Sequence, residues 1–310
     1  MIDVAHLSKR YGDTLAVDDL TFTVRPGVVT GFLGPNGSGK STTMRVILGL
    51  DAPSDGTALV AGRRLAEHPA PLTVISALLD ARAVHGRRSA HDHLHALAVS
   101  NGLPRSRVGE VLDLVGLGEV ARRAGGGLSL GMGQRLGIAA ALLGDPGIVM
   151  LDEPVNGLDP EGNLWIRHLL QSLAREGRTV FVSSHLMSEM ELMADHLVII
   201  GRGRLIADLP ARDLRAMASE RTVAVRATEF HRLGEALRRD GVRIASTSST
   251  DAEVTGLEAE EIGRIARDEG IALAALIPTQ TTLEEIFMRL TADTIQYQGA
   301  PSIASEGATR

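Results

Sequence analysis

Gly34-Pro35-Asn36-Gly37-Ser38-Gly39-Lys40-Ser41 decides the fold. Its spacing is G-x-x-x-x-G-K-[ST], and it lies between an apolar run at 28–33 and a stretch of helical spacing at 41–50. The glycines let the backbone wrap a polyphosphate with its N–H groups turned inward, and the helix start adds the positive end of its dipole. In such a loop Lys40 reaches the outer phosphates, while the hydroxyl of Ser41, followed by Thr42, is placed for a magnesium ion. A strand–loop–helix of this kind implies an α/β fold built around a nucleotide phosphate site.

Downstream, Ile148-Val149-Met150-Leu151-Asp152-Glu153 is an apolar strand ending in two carboxylates. Asp152 suits Mg²⁺ held through water, and Glu153 suits polarising an attacking water. Short strands at 2–4 and 20–24, joined by a turn through Tyr11-Gly12-Asp13, precede the loop, and further strands are expected at 57–61, 73–79 and 179–183. A mostly helical region runs from 89 to 123, Gly125-Gly126-Gly127 reads as a flexible break, and helices are expected at 134–143 and 162–176. Strands alternating with helices predict a mostly parallel sheet.

After Leu209-Pro210 the pattern changes. Strand-like stretches at 222–227, 242–246, 252–255 and 273–277 interleave with helices at 230–239 and 259–269, the βαββαβ order of a small ferredoxin-like α+β domain. The expected division is 1–215, 216–292, and a disordered tail at 293–310 rich in Ser, Gly, Ala and Gln. Leu283, Ile286, Phe287 and Leu290 form an apolar helical stripe, read as packing within the protein.

With 310 residues, 44% of them hydrophobic and 23% charged, the chain has the make-up of a globular protein with ample core. Net charge is −6 with no basic stripe, so no nucleic-acid partner is expected. There is no cysteine for a disulfide or a metal thiolate, and no apolar run long enough to cross a bilayer. Met1-Ile2-Asp3 carries no basic-then-apolar signal. Only two lysines, Lys9 and Lys40, stand against thirty arginines. In so arginine-biased a chain, a retained lysine points to a site that needs a compact ammonium.

Over residues 1–215 the chain resembles the nucleotide-binding subunits of ABC transporters. The motifs that carry the resemblance, besides the phosphate loop and the Asp152-Glu153 strand, occur in order. Leu128-Ser129-Leu130-Gly131-Met132-Gly133-Gln134-Arg135 is similar to the family signature, Asn156-Gly157-Leu158-Asp159 to the loop between two ATP sites, and Ser183-Ser184-His185 to the switch histidine. The resemblance implies a P-loop NTPase domain of the ABC type, with an antiparallel β subdomain and a helical subdomain. It also implies a dimer around two MgATP, hydrolysis catalysed by Glu153 and His185, and a separate membrane-spanning permease. Ser129 and Gly131 would then contact the γ-phosphate of ATP held by the opposite subunit, and Tyr11 would stack on adenine.

Two departures carry information. The family usually has Gln after the strand near residue 79, where Asp80 stands here as a possible Mg²⁺ ligand. Leu130 and Met132 replace a usual Gly and Gln, as in drug, antibiotic and lipid exporters of the family. The expectation is therefore an ATPase at the cytoplasmic face of the membrane that drives export. An importer, or an ABC protein acting on ribosomes or DNA or as a sensor, are the alternatives. Among His85, His91, His93 and His95, only His91 and His95 share a helical face, and no carboxylate pattern completes a metal shell.

Overall fold

The structure, a computed structural model, describes residues 1–80, 86–218, 221–280 and 282–291. His85 and the expected tail at 293–310 lie outside the described residues. The chain divides into two compact units, Met1–Asp208 and Leu209–Leu290.

The first unit opens with β1 (Ile2–Tyr11) and β2 (Thr14–Val24), an antiparallel hairpin whose register runs from Ile2 opposite Val24 to Tyr11 opposite Thr14. Both strands run longer than the sequence alone suggests, pairing on to Tyr11 opposite Thr14. Gly12, at φ +54°, supplies the left-handed turn between them. β3 (Val29–Leu33) is buried along its whole length and feeds the phosphate loop and α1 (Lys40–Ile47). β4 (Asp55–Val60) pairs with the free side of β1, giving a three-stranded antiparallel sheet in the order β2-β1-β4.

α2 (Pro71–Val74) and β5 (Ile75–Leu78) follow, then the helical region: α3 (Ala90–Ser100), α4 (Ser106–Leu114) and α5 (Leu130–Leu142). α5 begins at Leu130 rather than Gln134 because the Ser129 hydroxyl accepts the Met132 N–H at 3.2 Å, an N-cap that outweighs the poor helix propensity of Gly131 and Gly133. The glycine triplet is not a flexible break. It is a 3₁₀ turn tied by N–H bonds from Gly125 to the Arg88 carbonyl at 2.7 Å and from Gly126 to the Gly86 carbonyl at 2.9 Å.

β6 (Ile148–Leu151), α6 (Pro160–Arg175), β7 (Thr179–Ser184), α7 (Met187–Met193), β8 (His196–Gly201) and β9 (Arg204–Pro210) complete the six-stranded sheet β5-β6-β7-β3-β8-β9. From β5 to β8 all neighbours are parallel, and the C-terminal ends of β3, β5, β6 and β7 lie along one edge, where ligands bind in open α/β sheets. Phe22 of the antiparallel sheet stacks on Phe32 of β3 at 5.5 Å, and Phe32 meets Phe181 of β7 at 5.1 Å between centroids. Phe22 and Phe181 also meet at 5.8 Å, so one three-ring cluster anchors the strand that launches the loop, each aromatic pair adding about 0.5–1.5 kcal/mol beyond burial. α7 is seated on the same strand at Gly31, where a Cβ would come within 2.7 Å of the Met190 sulfur.

The second unit contains α8 (Ala211–Ala218), β10 (Arg221–Ala227), α9 (Phe230–Leu237), β11 (Arg243–Ser246), β12 (Asp251–Thr255), α10 (Ala259–Asp268), β13 (Leu273–Gln280) and α11 (Leu283–Thr291). The βαββαβ order folds as an antiparallel sheet, β11-β12-β10-β13. Its core joins Val223, Val225 and Val254 to Phe230, Leu233 and Leu237 of α9 and Ile262 and Ala266 of α10. Leu283, Ile286 and Phe287 of the stripe are buried.

Candidate functional site

The sheet edge gathers the predicted chemistry. Gly37 at φ +79° and Gly39 at φ +104° turn the loop after β3, and a Cβ at Gly34 would collide with the Ile200 carbonyl and the Ser38 hydroxyl. Lys40 is only 7% exposed, and its ammonium donates to the Gly34 carbonyl at 2.7 Å and the Pro35 carbonyl at 3.3 Å. Burial pushes this ammonium below the ordinary lysine range, against the opposing pull of Glu153 and Asp152. The Ser38 Oγ is buried inside the loop with no hydrogen-bond partner among the described residues, a polar atom held for an acceptor or donor that enters the loop.

Across from the loop, the Ser41 hydroxyl donates to Asp152 Oδ2 at 2.7 Å. The Ser183 hydroxyl, at the end of β7, donates to Asp152 Oδ1 and accepts the Glu153 N–H at 3.0 Å. Glu153 takes the left-handed conformation at φ +50°, which costs a non-glycine residue about 1–3 kcal/mol and turns its side chain out of the strand line. Its carboxylate is then shared: Oε2 meets His185 Nδ1 at 2.8 Å, and Oε1 lies 3.8 Å from the Lys40 ammonium. Gln134 of α5 donates to the Pro154 carbonyl at 3.0 Å, tying the acidic turn to the helix that starts at Ser129.

Residues Gly34, Lys40, Ser41, Asp152, Glu153 and His185 are thus brought together. Ser183 and Gln134 join them as residues whose part the sequence reading did not identify. The available signal was two serines ending an apolar strand, where buried hydroxyls need partners.

Ser129 and Gly131 sit at the start of α5, the serine exposed. Gly131 approaches the next loop closely: a Cβ there would lie 3.1 Å from the Gly157 carbonyl. Asp159 caps α6 through the Gly162 N–H at 2.7 Å, which fixes the end of that loop.

Residues 17–156 match the ABC transporter family. The chain is 42% identical over 209 residues to an uncharacterised ABC transporter ATP-binding protein, YhcH, of Bacillus subtilis, covering 66% of this chain and 68% of that protein. It is 31% identical over 303 residues to the bacitracin transport ATP-binding protein BcrA of Enterococcus faecalis, covering 94% and 96% of the two chains. A solved structure of an ATP-binding subunit of an ABC transporter superposes with a TM-score of 0.64 at 28% identity, covering 70% of this chain and 92% of that one. The chain belongs to the ABC transporter ATP-binding subunits, an ATPase family. Residues 221–284 match a domain of unknown function (DUF8746).

Within this ABC subunit the two departures occupy distinct places. Leu130 is 57% exposed, and its Cγ and Cδ2 cover the Cα of Gly157, where a Cβ would meet them at 2.5 Å. The substituted signature residue therefore packs on the Asn156-Gly157-Leu158-Asp159 loop. Asp80 is exposed two residues beyond β5, on the same sheet edge as Asp152, whose N–H donates to the Leu78 carbonyl at 2.8 Å.

Tyr11 is not joined to the phosphate cluster. Its ring is 45% exposed with the Lys9 ammonium 4.7 Å above the centroid, and its hydroxyl donates to Asp51 Oδ2 at 2.7 Å, past the far end of α1. His91 and His95 stack at 5.9 Å, and among the described residues no three His, Cys, Asp or Glu side chains cluster to hold a metal ion.

Proposed function

We propose that the subunit binds MgATP at 34–42 and hydrolyses it within a two-fold dimer, in which Ser129 and Gly131 of one copy complete the site of the other. The observation that carries the reading is a helix N-terminus with an exposed serine cap, at the motif the family resemblance assigns to the opposite ATP, beside a separate and complete phosphate loop.

On ATP binding, Lys40 gives up its loop carbonyls and Glu153 for the β- and γ-phosphates, and the loop N–H groups with Ser38 take the remaining oxygens. Ser41 and Asp152, both hard oxygen donors already in contact, fit a magnesium ion, which when bound would neutralise phosphate charge. Asp80 is a further carboxylate for the same ion. Glu153, released from Lys40 and steered by His185, orients or deprotonates the attacking water, a contribution of about 10²–10⁴ in rate. Ser129 and Gly131 of the second copy add donors at the γ-phosphate, and Tyr11 offers a ring face to adenine.

Among the described residues no helix is long and apolar enough to cross a membrane. The likeness to transport ATP-binding proteins supports placing the subunit at the cytoplasmic face of a membrane, coupled to a separate permease. The near full-length likeness to a bacitracin transport protein, with the Leu130-Gly131-Met132 variant, favours export of an antibiotic or similar amphiphile. Deleting the gene should sensitise the host to such compounds, and the wild-type chain but not its Glu153→Gln variant should restore resistance. Unchanged sensitivity across a peptide-antibiotic panel overturns the export reading.

A further inference from the structure

Glu189 lies outside the machinery described above, yet it is bonded to it. His185 is the middle residue of a turn that begins at Ser184, the fully buried last residue of β7. The Ser184 hydroxyl accepts the Leu186 N–H at 2.9 Å and donates to Glu189 Oε2 at 2.8 Å. The Leu186 carbonyl is also 3.4 Å from that hydroxyl, but a serine has one proton, and the shorter bond to the carboxylate claims it. Both ends of the Ser184–His185–Leu186 turn are therefore tied through one hydroxyl, whose orientation Glu189 sets.

Glu189 itself has a firm base. It occupies the first turn of α7, whose Met190 is fully buried against β3 at Gly31. β3 also launches the phosphate loop, so the carboxylate and Lys40 hang from one rigid strand. Burial pushes the Glu189 carboxyl above the ordinary range, with Glu153 adding in the same direction against its bond to Ser184 and the nearby His185.

We propose that Glu189 is a positioning residue for hydrolysis: through Ser184 it holds the His185 turn in the orientation that aims the imidazole at Glu153. It touches neither nucleotide nor water. The inference rests on the reading that His185 steers Glu153.

The test is steady-state ATP hydrolysis by the full chain in five forms: Glu189→Ala, Glu189→Gln, Ser184→Ala, the Ser184→Ala/Glu189→Ala double variant, and His185→Ala. Loss of alignment costs about 10–100-fold in kcat, as displacement of a catalytic group by about 1 Å does. The expected pattern is that kcat fall in Glu189→Ala, with KM for ATP held within about twofold. Glu189→Gln should keep most of the activity, because its amide oxygen still accepts the Ser184 proton. Ser184→Ala should match Glu189→Ala, and the double variant should be no worse than either.

Wild-type kcat in Glu189→Ala or Ser184→Ala overturns the inference, as do additive losses, a change in KM alone, or a Gln variant as impaired as the Ala one. Should Glu189→Ala fail to fold, judged by melting, Ser184→Ala with Glu189→Gln carries the same decision. If His185→Ala hydrolyses ATP normally, the histidine reading fails and takes the inference with it. If His185→Ala is inactive while Glu189→Ala is not, only the inference fails.

Discussion

Lys40→Met removes one charge and little volume, and its consequences can be worked out from the contacts. Each charge-assisted hydrogen bond to phosphate is worth about 1.5–3 kcal/mol, so an ammonium that meets two phosphates supplies about 3–6 kcal/mol. In the free protein the same group already bonds two loop carbonyls and lies 3.8 Å from Glu153, and those contacts must be surrendered when ATP enters. The net loss then falls near the lower bound, about 3–4 kcal/mol, which is about 10²–10³ in Kd at about 1.4 kcal/mol per decade.

Stability should move far less. The methionine stem fills the same space, the desolvation of a buried ammonium is relieved, and Glu153 keeps its His185 bond; a change of about 1–2 kcal/mol in either direction is expected. The assay is calorimetric titration with a non-hydrolysable ATP analogue at fixed ionic strength, paired with a denaturant melt. A variant that binds within about threefold of wild type and melts normally would refute the assignment of this loop as the phosphate site.

Gly157→Ala should destabilise the first unit, since φ +81° alone costs an alanine about 1–3 kcal/mol and its Cβ meets Leu130. Adding Leu130→Ala, which removes the obstructing atoms, should recover part of that loss in urea unfolding; simple additivity contradicts the contact. In the second unit, bonds from Arg226, then Ser248 and Thr250, lower the Asp251 carboxyl from 3.8 to about 2. A depressed acid supports the fold above its unfolded value and loses that support as pH falls from 3.8 through about 2. Carboxyl carbon NMR of the full chain should find the Asp251 midpoint near the lower value, and a midpoint at the unfolded value argues against the ion pair. Asp80→Ala should uncouple transport from hydrolysis more than it weakens ATP binding, and wild-type transport in that variant makes Asp80 a bystander.

The phosphate loop was legible because its residue types answer backbone needs that are local: left-handed glycines, a helix start, a lysine and a hydroxyl at fixed offsets. Asp152 and Glu153 were legible for a similar reason, a buried strand having no other use for two terminal carboxylates. What escaped was non-local. The glycine triplet looks free in sequence, but its N–H groups find carbonyls at Arg88 and Gly86. α7 and the hairpin of β8 and β9 were not singled out, because seven residues with three methionines carry a weak period and the hairpin turn at Arg202-Gly203 resembles many loops. Ser183, Gln134 and Glu189 acquire meaning only when β6, β7, α5 and α7 converge on one sheet edge. Tyr11 was legible as a lone aromatic, yet its bond to Asp51 across the α1 connection was not.

The central claim is that one ATP site needs two copies of this chain. Glu153→Gln keeps the shape of the side chain while removing the group that activates water and the negative charge facing the γ-phosphate. Sedimentation of this variant with saturating MgATP should show a stable dimer that dissociates when nucleotide is removed. A monomer under those conditions, with ATP demonstrably bound, would contradict the shared-site account.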